Sequence, residues 1–155
     1  MIYIGIDPGK RGGFAIIEQG ESGQQTVVVY PWDDSEFVHK MRTMAEDEDI
    51  REAGIVAAVE KVGAMHGQGV SSTFAFGVSY GYIRGVLSAF DIPYQLVLPR
   101  KWKAEFGLNS DKQKSIEVCK QLFPNVSLLP SERCRKDSDG MAEALLISTY
   151  AKRHF

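Results

Sequence analysis

The chain has 155 residues, 44% apolar and 25% charged, which is the balance of an ordinary globular protein and a length that points to one domain spanning 1–155 rather than two. Cys119 and Cys134 are its only cysteines and have no CxxC spacing, so they predict free thiols in a reducing cytoplasm and exclude a disulfide-stapled or zinc-ribbon fold. The net charge of −2 excludes a protein that coats nucleic acid by bulk positive charge; yet residues 1–99 hold 7 Lys/Arg against 13 Asp/Glu and residues 100–155 hold 11 against 7, so phosphates are better met by the C-terminal third.

Residues 1–7 carry no basic leader and no small-residue cleavage site, so they read as a strand rather than a signal peptide. Ile2, Ile4 and Ile6 alternate with Tyr3, Gly5 and Asp7, which places the isoleucines on one face and Asp7 on the other, at the strand's end. Pro8-Gly9 turns the chain. Strands are expected at 13–17 and 26–30, and the two short connections predict an antiparallel meander. From Asp34 to Glu52, Phe37, Val38, Met41 and Met44 recur at helical spacing, with Asp34 or Ser35 as cap and the acidic run 46–49 as solvated surface.

Residues 54–60 form a continuous apolar stretch ending in Glu60, as a central strand covered on both faces would. A glycine-rich loop at 63–69 precedes a long helix to about Phe90, in which Gly77, Gly81 and Gly85 stand four apart. Each glycine costs a helix roughly 1 kcal/mol relative to alanine, which close approach by another element would explain. Residues 93–98 read as a fifth strand ended by Pro99. Ser110 and Gln113 fit a capping box opening a helix to Leu122. A basic loop over 125–136 leads to a last helix from Asp137 or Ser138. No apolar run is long enough to span a bilayer, so no membrane partner is expected. The element order describes an α/β protein with a mixed five-stranded sheet flanked by helices.

Three carboxylates each sit where a buried element meets a loop: Asp7 ending the first strand, Glu60 ending the fourth and Asp139 opening the last helix. If those strands are neighbours and the helix crosses them, the three converge on one rim. Hard divalent cations take oxygen ligands of this kind. Two such ions about 4 Å apart activate a water and stabilise the leaving oxygen in displacement at phosphorus.

The segments Ile4-Gly5-Ile6-Asp7-Pro8-Gly9, Val59-Glu60-Lys61-Val62, the glycine-bearing helix 69–88, Leu98-Pro99-Arg100-Lys101-Trp102-Lys103 and Asp139-Gly140-Met141-Ala142-Glu143-Ala144-Leu145-Leu146-Ile147 together resemble the RuvC-like Holliday junction resolvases of the ribonuclease H-like superfamily, with the last two looking most like phage versions. The resemblance spans nearly the whole chain. It implies a ribonuclease H-like fold and a homodimer that cuts four-way or otherwise branched DNA with Mg²⁺ or Mn²⁺. Asp7, Glu60 and Asp139 match the family's metal ligands. Cellular members place a further acid or histidine three residues before the helix aspartate, where this chain has Lys136. The fourth ligand is then Asp137, by proximity, or Glu143, one turn along the same helix face; Lys136 itself is placed to meet the scissile phosphate.

Phosphate contacts that position DNA are expected from Arg100, Lys101, Lys103, Lys112, Lys114, Arg133, Arg135 and Lys136. Met65 and His66 are candidates for a wedge between unstacked bases, or His66 for proton transfer. Phe74, Phe76, Tyr80 and Tyr82 on the glycine-bearing helix suit packing or a dimer contact. The rival readings are a YqgF-type RNA-processing nuclease, a non-catalytic branched-DNA-binding module, and an actin-like ATPase, for which the chain is too short.

Overall fold

The computed structural model describes residues 1–20, 22–63 and 69–155. Met65 and His66 lie outside the described residues. In chain order the elements are β1 (Ile2–Asp7), β2 (Gly13–Gln19), β3 (Gln25–Pro31), α1 (Asp34–Glu46), α2 (Glu48–Ala53), β4 (Ile55–Glu60), α3 (Val70–Ala89), β5 (Tyr94–Val97), α4 (Pro99–Glu105), α5 (Lys112–Leu122) and α6 (Asp139–His154).

The five strands form one sheet in the order β3-β2-β1-β4-β5. β1, β2 and β3 are the expected antiparallel meander, whereas β1–β4 and β4–β5 pair in parallel. The sheet is therefore mixed. Its period-two alternation divides the core in two. Ile2, Ile4 and Ile6 pack with Phe14, Phe37, Met41, Ile83 and Leu87 under α1 and α3. Ala15, Ile17 and Ala58 pack with Trp102, Ile116 and the body of α6 on the other face.

α6 lies against the sheet at backbone contact. A Cβ on Gly5 would stand 2.1 Å from the Ser148 nitrogen and 2.2 Å from the Ala144 oxygen, and one on Gly140 would stand 2.0 Å from the Arg11 oxygen. Only glycine permits these approaches. The Ser148 hydroxyl donates to the Tyr3 carbonyl oxygen at 2.8 Å across the same seam.

Several expectations are corrected. The helix over 34–52 is two helices, broken at Asp47, whose side chain accepts from the Ile50 amide and so starts α2. The acidic run is exposed as expected, but one of its members is a cap. Asp33, not Asp34 or Ser35, caps α1. Asp111, not Ser110, caps α5 by accepting from the Gln113 amide at 3.0 Å. Helix α4 was not anticipated; Pro99 ends the strand by opening a helix, at a position where a missing N–H costs nothing. Nothing among the described residues lies within 4 Å of a Cβ built on Gly77, Gly81 or Gly85, so no described element accounts for them. Cys119 and Cys134 are both free. Among the described residues no helix is long and apolar enough to cross a membrane.

Candidate active site

Two adjacent parallel strands bring the first two acids together. β1 and β4 run in register to Ile6 opposite Val59, and Asp7 and Glu60 are the next residues along each. Neighbouring strands lie about 4.8 Å apart, so both side chains start from one short stretch of the sheet's rim. α6 brings the third and fourth. Its cap, Ser138, accepts from the Met141 amide at 3.2 Å, which makes Asp139 the first helical residue and places its carboxylate at the positive end of the helix. Glu143 follows one turn later on the same face and is buried.

The groups act on one another strongly. Burial, then the carboxylates of Glu60 and Glu143, hold the Asp7 carboxyl well above the ordinary carboxylate range; Asp139 adds to this and Lys112 opposes it. Burial also raises Glu60, against a bond from Trp102 that lowers it.

Helices α4 and α5 form the outer wall and supply partners. The buried Trp102 indole donates to Glu60 Oε1 at 3.0 Å. Its neighbour Lys103 pairs with Glu143 Oε1 at 3.2 Å. From α5, Lys112 pairs with Asp139, and the Ser115 hydroxyl donates to Glu143 Oε1 at 3.2 Å. The Asp139 bond raises the Lys112 ammonium above its ordinary value, so Lys112 stays charged.

Of the expected site residues, Asp7 and Glu60 end adjacent strands, Asp139 and Glu143 lie one turn apart on α6, and Glu60, Asp139 and Glu143 all bear electrostatically on Asp7. Asp137 does not join them: it turns to Lys120 of α5 at 2.5 Å. Lys103 and Lys112, expected as phosphate contacts, pair with Glu143 and Asp139, and Lys112 keeps most of its side chain exposed. Arg100, Lys101, Lys114, Arg133, Arg135 and Lys136 are exposed. Two site residues escaped the sequence reading. Trp102 follows a Pro-led helix start, and a buried tryptophan must place its N–H. Ser115 sits beside Ile116 and Cys119 on the buried face of α5, a polar group among apolar ones.

Among the described residues no three Asp, Glu, His or Cys side chains stand close enough to share one ion as they are. The chemistry of the set nonetheless suits a hard cation. All the donors are oxygens, and four carboxylates face two ammonium groups, a formal excess of −2 around a desolvated Asp7.

A mixed five-stranded sheet in this order, flanked by helices, is a fold of the ribonuclease H-like class. Within it the fold is that of the RuvC-type resolvases. RuvC of Thermus thermophilus in complex with a Holliday junction substrate aligns with a TM-score of 0.57 at 15% identity, covering 99% of this chain and 97% of that one. A second Thermus thermophilus RuvC structure aligns at 0.55 and 18% identity, covering 99% and 96%. The yeast mitochondrial Holliday junction resolvase Ydc2 aligns at 0.50 and 15%, covering 97% and 77%. At these identities the likeness is one of fold. No protein-family model and no curated protein sequence matches the chain.

Proposed function

We propose that this protein is a metal-dependent endonuclease that cleaves Holliday junctions or other branched DNA, with Asp7, Glu60, Asp139 and Glu143 as the ligands of Mg²⁺ or Mn²⁺. The observation that carries the reading is the register that ends adjacent parallel strands in Asp7 and Glu60, with α6, which bears Asp139 and Glu143, seated at backbone contact on β1. A cluster of this kind weakens binding to a phosphate backbone unless cations intervene, which favours a catalyst over a plain DNA-binding module. Glu143 is preferred to Asp137 as fourth ligand because it bears on Asp7 and Glu60, whereas Asp137 is paired with Lys120.

When bound, the cations would activate the attacking water and stabilise the leaving oxygen. The chain's own residues perform the rest. Lys112, charged and beside Asp139, offers an ammonium to a phosphate oxygen at the reacting centre. Arg100, Lys101, Lys114, Arg133, Arg135 and Lys136 bind the flanking backbone by charge, which positions a duplex arm without reading its sequence.

A second copy completes the substrate geometry in this reading, since paired cuts need two centres. The face of α3 bearing Val70, Phe74 and Val78, which are 87%, 74% and 57% exposed, supports it as the contact. The decisive assay is metal-dependent cleavage of a synthetic four-way junction, beside linear duplex and structured RNA. The wild type is expected to cut the junction in Mg²⁺ or Mn²⁺, and Asp7→Asn to bind it undiminished without cutting. Preference for RNA would move the protein to the RNA-processing branch, and tight binding with no cleavage in either metal would make it a binding module.

A further inference from the structure

Both glutamates of the candidate site are held from adjacent residues of α4: Glu60 by the Trp102 indole and Glu143 by the Lys103 ammonium. A glutamate carries one more flexible torsion than an aspartate, so its carboxylate is less well fixed by its own backbone. A rigid donor is therefore worth more to it.

Trp102 is built for that task. It is fully buried in the cluster that includes Ala58, Val97 and Leu145, so its ring has no freedom to swing. Its helix is anchored at both ends. Pro99 joins it to β5, the strand paired with Glu60's own strand. Glu105 accepts from Arg153 at 2.7 Å and from His154 at 2.5 Å, tying the far end to the C-terminus of α6. A buried indole N–H requires an acceptor, and a backbone carbonyl would satisfy it equally well. Here the acceptor is a carboxylate of the site.

We propose that Trp102 is a positioning residue, which fixes Glu60 in the orientation that receives a divalent cation. The inference rests on the metal-dependent reading above. Groups that orient a ligand from behind in this way commonly change metal affinity by about 10- to 100-fold when removed.

The test uses the fact that the chain has two tryptophans. Trp32 donates to Asp34 on an exposed surface, outside the site. In the Trp32→Phe protein, Trp102 is the sole indole, and its emission reports on the group it bonds. Titration with Mg²⁺ is expected to change that emission saturably, and adding Glu60→Gln is expected to remove the response. Separately, Trp102→Phe is expected to raise the Mn²⁺ dissociation constant, followed by the loss of the free-ion paramagnetic signal, about tenfold or more. Leu87→Ala, which damages the core layer on the other face of the sheet and leaves the packing around Trp102 in place, should leave that constant unchanged in the folded protein.

Flat Trp102 emission across the Mg²⁺ range that supports cleavage overturns the proposal, as does a Trp102→Phe dissociation constant equal to that of wild type. Either result leaves the nuclease reading intact if junctions are still cut. Metal binding with both expected signatures but no cleavage of any branched DNA upholds the role of Trp102 while removing the nuclease reading. The emission arm keeps Trp102 in place, so it decides the matter even if Trp102→Phe does not fold.

Discussion

Helices α3 and α6 are both rich in apolar residues, yet they spend them differently. α6 buries Met141, Ala142, Ala144, Leu145, Leu146, Ile147 and Ala151, which leaves almost none of its circumference to solvent. α3 is longer, but only Ile83 and Leu87 are buried, while Val70, Phe74, Val78 and Tyr82 stand exposed. Small residues play opposite parts in the two. At α6 the glycines Gly5 and Gly140 mark where backbones already touch; on α3 the glycines face open space. Hydrophobic content alone thus does not distinguish a helix that finishes a core from one whose apolar face no described residue covers.

The sharpest way to break this contrast is at the α6 seam. Gly5→Ala drives a methyl group into the Ser148 nitrogen and the Ala144 oxygen, backbone atoms that cannot swing aside. The expected loss exceeds about 4 kcal/mol, at the extreme of single substitutions, and is read as a collapsed denaturant midpoint or failure to fold. An alanine tolerated with little change would mean that α6 does not sit this close.

A smaller and opposite effect is expected where the close seat of α6 crowds Asp7. The Asp7 pKa lies above its ordinary 3.8 in the folded state because burial and neighbouring acids oppose ionisation. The folded protein then binds more protons than the unfolded chain between the two pKa values. Metal-free stability consequently falls as pH rises from the ordinary carboxylate range through the raised value, and Glu60 contributes with the same sign. Asp7→Asn removes the main source of that slope. With chelator present at neutral pH it should raise Tm by a few degrees, the size of about 1 kcal/mol in a chain of this length, while cleavage is lost. Mg²⁺ should raise the Tm of wild type and leave that of Asp7→Asn nearly unmoved. A lower Tm for Asp7→Asn under chelation would show that Asp7 makes a stabilising contact instead.

Much of this arrangement was legible beforehand because it follows from local rules. Period-two alternation gave β1 and the side on which Asp7 falls, the unbroken apolar run at 54–60 gave the central strand, and carboxylates ending both strands gave half of the rim. Apart from the Asp47 cap, which is local, what escaped depends on contacts between distant segments. Nothing near Asp47 announces that its side chain will start a helix rather than fray one. Glycines at 5 and 140 look like any others until α6 is laid across the sheet, and those at 77, 81 and 85 invite a partner that no described residue provides. What separates Asp137 from Glu143 is also tertiary: Lys120 of α5 pairs with Asp137, whereas Ser115 of α5 and Lys103 of α4 bond Glu143. The ammonium partners of the acids were likewise hidden, because pairing of Lys103 and Lys112 is decided by packing.

The last test, of about the same size, probes the open side of the comparison. Gly81 lies in mid-helix on α3, exposed, with nothing within 4 Å of an added Cβ. In an isolated chain Gly81→Ala should therefore stabilise by about 1 kcal/mol, because alanine loses less backbone freedom on entering a helix. That corresponds to a rise of about 2–4 °C in Tm at low protein concentration. If the glycine face meets a second copy at backbone distance, the same methyl must also separate the two helices, so sedimentation equilibrium should show weaker self-association as thermal stability rises. The two readings move in opposite directions only if α3 is an interface between copies. A more stable protein whose association is unchanged would place the contact elsewhere and leave the exposed face of α3 without that role.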